Sequence, residues 1–322
     1  GKKLVMLSSG DVFQGTLFFR FFRGIPDATF MSRMGYAAMA IGNHEFDAGQ
    51  DALHEAFRDA SFPILSANLR FTANKSLPGL VKQSTVVSIP VGGQTFKLGL
   101  IGITDEELEN DVPKANLKGI VVEDAVTALR REVKKLQAQG CDTIFALTHA
   151  GWNRDLELAA QFPEITGFLG GHSHMFADPP LVEGSSAGHR FISQPGEFGS
   201  HVSRLDLRFE PDGQGVRCIV TAAGLVPLTS DMPEDPSIKS TVDQLWKQVE
   251  EKTSEKLAET VTRLDGDRPL VRSQETNLGN VVADSLLNAV PGQIGVINGG
   301  GIRTSIAVGA VRIDQDRKST RL

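Results

Sequence analysis

Short apolar runs recur along the chain, and most of them stop at a glycine or a polar cluster. Residues 4–7, 36–41, 63–67, 142–147 and 165–169 show no polar alternation, which predicts strands buried on both faces of a sheet. Between them lie stretches of helical period. Residues 49–60 put Ala52, Leu53, Ala56 and Phe57 on one face, and residues 123–139 do the same with Val126, Leu129, Val133 and Leu136 before Gly140 closes the turn. Residues 16–24 predict an aromatic-rich helix whose Phe18, Phe19, Phe21 and Phe22 pack in the core, and residues 26–34 predict another helix. Gly92-Gly93 between residues 86–91 and 95–103 signals a hairpin. Residues 191–193 and 201–209 predict strands, and residues 213–226 a further hairpin-like pair. The whole predicts an α/β fold with a sheet core and helices on its faces.

The pattern changes after a proline-rich, acidic segment at residues 227–236, a plausible boundary. Residues 238–264 predict a long charged helix with Ile238, Val242, Leu245 and Val249 along one stripe. A second region starts near Asp265, with a helix at 277–289, a strand at 294–297 and an aperiodic tail at 316–322.

Composition narrows the function classes. With 322 residues, 40% hydrophobic and 22% charged, this is an ordinary globular composition. A net charge of −6 supplies no basic footprint for a nucleic-acid duplex and no polybasic membrane patch. It leaves a phosphorylated small molecule open, because bound cations reverse a local field. Two distant cysteines imply no disulfide framework. No stretch approaches the roughly 20 apolar residues of a membrane span. The chain starts on an apolar run with no initiator Met, so a removed N-terminus is expected and the lack of a leader is uninformative.

The candidate chemistry sits just past the predicted strands. Gly42 lets the backbone turn off the second strand, and Asn43, His44 and Asp47 follow within five positions. An amide oxygen can coordinate a cation, an imidazole can deliver a proton, and a carboxylate can hold that ring in one tautomer. Asp11 follows the first strand, as a ligand or as a loop cap. His149 and the Gly170-Gly171-His172-Ser173-His174 segment follow two more, and a His-x-His pair behind two glycines signals a metal. Asn68 ends another strand, as a site amide or a turn amide. His54, His189 and His201 have no ligand-type neighbours in the pattern and are assigned to structure or surface. In the second region Asn298-Gly299-Gly300-Gly301-Ile302-Arg303 offers backbone N–H groups and a guanidinium fork suited to phosphate or carboxylate.

GDVFQG, GNHEFD, THAG and GGHSH, in this order, resemble the metallophosphoesterase superfamily; ETNLGN and NGGGIR resemble its 5′-nucleotidase and 2′,3′-cyclic phosphodiesterase branch. The resemblance implies a four-layer αββα sandwich at residues 1–230, a linker helix at 231–264 and part of an α/β C-terminal domain at 265–322. It implies two divalent ions, zinc, manganese or iron. Asp11 would bridge them, Asn43, His149 and His172 would complete one site, and His174 would serve the other. His44 would be the catalytic histidine and Asp47 its orienting partner. Asn298, Gly300, Gly301 and Arg303 would hold the nucleotide, with Arg272 assisting. The implied partner is a nucleotide or another phosphate ester, and the implied location is periplasmic, secreted or cell-surface. The family's Asp-x-His strand and its base-stacking aromatic residues have no counterpart here, so one well-held ion and impaired hydrolysis are expected. The oligomeric state stays open, as do an inactive metal- or nucleotide-binding protein and a phosphoesterase acting on sugar nucleotides.

Overall fold

The computed structural model of the chain describes residues 3–14, 17–73, 76–91, 94–185, 188–212, 215–302 and 304–312. They fall into two compact units, one holding most of the chain up to Pro233, the other joining Leu17–Phe21 to the residues from Glu234 onward.

Two sheets form the centre of the first unit. In one, β1 (Met6–Ser8), β2 (Tyr36–Ala40), β3 (Ile64–Leu65) and β4 (Val81–Lys82) run parallel in that order. In the other, β6 (Gln94–Thr104), β7 (Thr143–His149), β8 (Gly167–Leu169) and β10 (Gly188–Ser193) run parallel, while β5 (Ser84–Val91) and β9 (Leu181–Ser185) pair antiparallel at the edges. The facing surfaces carry Ala38, Ala40 and Leu65 against Leu98, Leu100, Phe145 and Leu147. Along β7, Phe145 and Leu147 point into this layer, while Ile144 and Ala146 point to the other side. There they meet helices α3 (Ala125–Ala138) and α4 (Trp152–Gln161), through Ala128, Leu129, Val133, Leu136 and Leu158. Helices α1 (Ile25–Met34) and α2 (Gln50–Phe57) accompany the first sheet, which makes helix, sheet, sheet and helix layers, the expected fold class. Gly102 is required where the two sheets meet, since a Cβ there would lie 2.4 Å from the Leu65 backbone.

This arrangement explains the location of the chemistry. All four parallel strands of the second sheet and the first two of the other lead into loops at their carboxyl ends, the edge where ligands collect in α/β sheets.

Several expectations need correction. Residues 213–226 are not a hairpin of their own: Gly215–Pro227 is a single strand paired along its length with His201–Asp212. The expected helix over 238–264 is α5 (Pro236–Thr253), shorter than its charge pattern suggests and capped by the Asp235 carboxylate accepting from the Ser237 and Ile238 N–H groups. Its buried stripe ends at Val249 and Thr253, and Lys256–Thr260 is a strand paired with Gly309–Arg312. The β-branched Thr260 suits the extended end of that strand, and Val261 and Thr262 bend away beyond it. Residues 294–297 form no strand, and Ile294 and Val296 are 83% and 79% exposed. The aromatic helix is Leu17–Phe22, where Leu17 alone is buried and Phe18 stacks on Trp246 at 5.6 Å between ring centres. Gly92-Gly93 and the tail lie outside the described residues.

In the second unit, helix α6 (Asn277–Ala289) starts as expected, with the Thr276 hydroxyl accepting from Gly279 N–H. Leu278, Val282, Ile302 and Ile306 form its small core.

Candidate metal centre at the strand-end rim

The rim is assembled by a carboxylate that sequence reading passed over. Glu45 is completely buried and accepts four backbone N–H bonds, from Gly42 (2.7 Å), Val12 (2.8 Å), Asp11 (2.9 Å) and Phe13 (3.2 Å). It fastens the loop after β1 to the loop after β2. Burial and the nearby Asp11 charge push Glu45 up to about 7, against the pull of the donors around it. Gly42 completes the cradle, since a Cβ there would sit 2.2 Å from Asp11 Oδ1.

Held this way, Asp11 adopts a left-handed backbone with φ 56° and accepts the His44 N–H on Oδ1 at 2.9 Å. Its Oδ2 lies 2.9 Å from His149 Nε2. His149 ends β7 and is 2% exposed, with Nδ1 2.7 Å from the Ser9 carbonyl. A carbonyl only accepts, so Nδ1 carries a proton, and Nε2 is the atom that meets Asp11 with either a second proton or a lone pair. Buried Nε2 makes no well-oriented hydrogen bond, although Oδ2 is so near. Burial works against both charged forms. Their mutual attraction outweighs it, holding the Asp11 carboxyl below its ordinary range and the His149 imidazole above. Without the proton between them, Oδ2 and Nε2 are two electron-rich atoms aimed at one point, which a divalent cation fits in the proton's place.

Asn43, 4% exposed, and His172 form the adjoining pair, with Oδ1 and Nδ1 3.2 Å apart. The rings of His149 and His172 lie 5.2 Å apart at 70°. The rim therefore gathers Asp11, Asn43, His149 and His172. His172 Nε2 faces two acids absent from the sequence expectations, Asp111 at 3.7 Å and Asp105 at 4.0 Å. Among the described residues, Asp105, Asp111 and His172 are the group whose His, Cys, Asp or Glu ligand atoms all lie within 4.8 Å, and Asp11, His149 and His172 do not close to that spacing. Asp105 carried the same signal as the others: it immediately follows a parallel strand, β6.

His44 Nδ1 is 2.7 Å from Asp47 Oδ2, the expected pair. Asn116 pins this turn, donating to the Phe46 and Asp47 carbonyls at 3.0 and 3.1 Å. Two expected residues are engaged elsewhere. His174 is half exposed, with Nδ1 2.7 Å from Glu197, so its ring is occupied by a neighbouring acid. Asn68 is fully buried; it donates to the Thr104 carbonyl at 2.7 Å and accepts the Thr104 N–H at 2.9 Å, so its amide knits strand ends together instead of facing a ligand.

The remaining expected residues belong to the second unit. Asn298 Oδ1 accepts Gly300 N–H at 3.0 Å and its carbonyl accepts Gly301 N–H at 2.8 Å, forming a tight turn over Gly299–Gly301. Arg272 is exposed at the end of the short helix Arg268–Val271. Arg303 lies outside the described residues.

Residues 254–315 match the 5′-nucleotidase, C-terminal domain family. The chain is 32% identical to the trifunctional nucleotide phosphoesterase protein YfkN of Bacillus subtilis over 97% of its own length and 23% of that protein. It is 34% identical to the 5′-nucleotidase of Mus musculus over 94% of its length and 56% of that enzyme. The crystal structure of a 5′-nucleotidase precursor from Thermus thermophilus superposes with a TM-score of 0.79 and 31% identity, covering 98% of this chain and 64% of that one. The chain thus spans little more than half of the mammalian relative and about a quarter of the bacillar one.

Proposed function

We propose that this chain, which belongs to the 5′-nucleotidase family of calcineurin-like metallophosphoesterases, hydrolyses phosphate esters of nucleotides with the help of divalent metal ions. The convergence of Asp11 and His149 on one point carries this reading. Asp11, Asn43, His149 and His172 would hold an ion, zinc, manganese or iron by their donor types, with Asp11 and, at Nε2 because Glu197 takes Nδ1, His174 serving a second. Such ions neutralise phosphate oxygens and lower the pKa of a bound water toward neutrality.

This chain's own residues supply the rest. The Ser9 carbonyl holds the proton on His149 Nδ1 and so keeps Nε2 turned toward Asp11. Asp47 holds the proton on His44 Nδ1, which leaves Nε2 as the atom that meets a substrate oxygen. Protonated there, His44 stabilises charge on the phosphoryl group and passes its proton to the departing ester oxygen. Asn298, Gly300, Gly301, Arg272 and Arg303 would hold the nucleotide, the tight glycine turn giving close approach and the guanidinium forks taking its charged oxygens. A 5′-nucleoside monophosphate or a 2′,3′-cyclic nucleotide is the substrate class, and the periplasm, the cell surface or the exterior is its location. One observation supports that location: relatives include proteins named as snake venom 5′-nucleotidases.

The test is phosphate release from adenosine 5′-monophosphate and 2′,3′-cyclic AMP, before and after chelation and with zinc, manganese or ferrous iron restored. The reading predicts hydrolysis of one of them that chelation abolishes and metal restores. Hydrolysis indifferent to chelation, or a chain that binds none of these ions, overturns it.

A further inference from the structure

His172 lies between two sets of polar atoms. On one side its Nδ1 is 3.2 Å from Asn43 Oδ1. On the other its Nε2 is 3.7 Å from Asp111 and 4.0 Å from Asp105. A neutral imidazole has one proton to place. Put on Nδ1, it would form a hydrogen bond to Asn43, and the two side chains would satisfy each other. Put on Nε2, it faces two carboxylates, and the Nδ1 lone pair is left beside Asn43 Oδ1. Two donors about 3 Å apart match a pair of ligands on one ion at metal–ligand distances near 2.1 Å.

The acids are held in place. Asp105 is largely buried directly after β6 and accepts the Glu107 backbone N–H. Its neighbour Glu106 is fixed by Arg154 at 2.8 Å and by the Ala125 N–H at 2.9 Å. Asp111 ends the short helix Leu108–Asp111, whose Leu108 is fully buried and which is followed by buried Val112. Neither acid is within hydrogen-bond distance of Nε2, so their effect is a field: two negative groups on one side of the ring favour the N–H there.

We propose that Asp105 and Asp111 are positioning residues for His172, selecting its Nε2–H tautomer so that Nδ1 and Asn43 Oδ1 are both available to an ion. A metal-binding histidine whose other ring nitrogen faces a carboxylate is a recurrent way of raising ligand strength. The inference rests on the reading above that His172 is a ligand. It assigns no ion to the acids themselves.

The experiment uses the whole chain, stripped of metal, with two readouts. Zinc affinity and stoichiometry come from competition with a chromophoric chelator. The His172 tautomer in the metal-free protein comes from long-range proton–nitrogen correlation, the resonance assigned by its loss in His172→Ala. Asp105→Asn with Asp111→Asn should lower zinc affinity about 10- to 100-fold and move the proton to Nδ1. Asp111→Glu should restore most of the affinity to an Asp111→Asn background, and the half-exposed position of Asp111 makes its single variant readable even if the buried Asp105 variant unfolds. Unchanged affinity and tautomer in both Asn variants, alongside weakened binding in His172→Ala, overturn this inference alone. Unchanged affinity in His172→Ala overturns the ligand set itself. Loss of one zinc equivalent in the Asn variants, the rest binding as before, makes the acids a separate ion site and also overturns the inference.

Discussion

Two asparagines head tight turns in this molecule, Asn43 before His44–Phe46 and Asn298 before Gly299–Gly301, and their side chains do opposite things. Asn298 bends its oxygen back onto the Gly300 N–H. Asn43 caps nothing and turns its oxygen to His172. The difference lies in who takes the backbone donors. At the first turn the Gly42 N–H goes to Glu45 and the His44 N–H to Asp11, so the two donors on either side of Asn43 already have carboxylate acceptors. The second turn has no carboxylate of this kind in its hydrogen bonds among the described residues. A ligand oxygen is freed by other side chains that absorb its local partners, which is why the buried Glu45 matters as much as the residues that face the rim.

The largest expected effect follows from that role. Glu45→Ala strips four N–H groups, two of them in buried bonds, of their acceptor and should cost about 3–5 kcal/mol in the unfolding of the first unit, measured by urea denaturation. Zinc affinity should fall with it. A cost below about 1 kcal/mol would remove the contrast between the turns.

His44→Ala should lower turnover about 10²- to 10⁴-fold while metal content stays near that of the unaltered chain, because the ring is held by Asp47 and belongs to proton transfer. Joint loss of activity and metal would contradict the division of labour.

Asp27 separates burial from ion binding. Burial alone pushes its carboxyl up to about 6, with no cation beside it among the causes, whereas Asp11 faces His149 and is held low. Between the ordinary carboxylate range and that value the folded chain binds more protons than the unfolded one. Stability therefore falls as pH rises through the window. Asp27→Asn should flatten that slope and gain about 1.5 kcal/mol at pH 8 after allowance for partial exposure, read from denaturation at pH 4 and pH 8. A slope of the opposite sign would contradict it.

Asn298→Ala should cost about 0.5–1 kcal/mol in the second unit and leave zinc affinity unchanged, measured by thermal unfolding and chelator competition.

Much of this site could be read before any coordinates, because unbroken apolar runs ending in glycine announce parallel strands, and Asp11, Asn43, His149 and His172 each follow one. The paired layers, the histidine–aspartate pair at positions 44 and 47 and the start of helix α6 were legible for similar local reasons. What stayed hidden depends on partners distant along the chain. Nothing local marks Glu45 as the acceptor for Asp11 and Val12, Asp105 and Asp111 as the acids opposite His172, or Thr104 as the group that uses up the Asn68 amide. His174 was placed by motif spacing, but Glu197 claims its ring. The helix predicted through residue 264 ended at Thr253 because a charged surface helix gives periodicity little grip on its end.

The central claim is that Asp11, Asn43, His149 and His172 share an ion. Anomalous diffraction from crystals of the full chain soaked with zinc tests it most directly. The account predicts a zinc peak about 2.0–2.2 Å from Asp11 Oδ2, Asn43 Oδ1, His149 Nε2 and His172 Nδ1. A peak held instead by Asp105, Asp111 and His172 Nε2, with Asp11 and His149 still in direct contact, would contradict it.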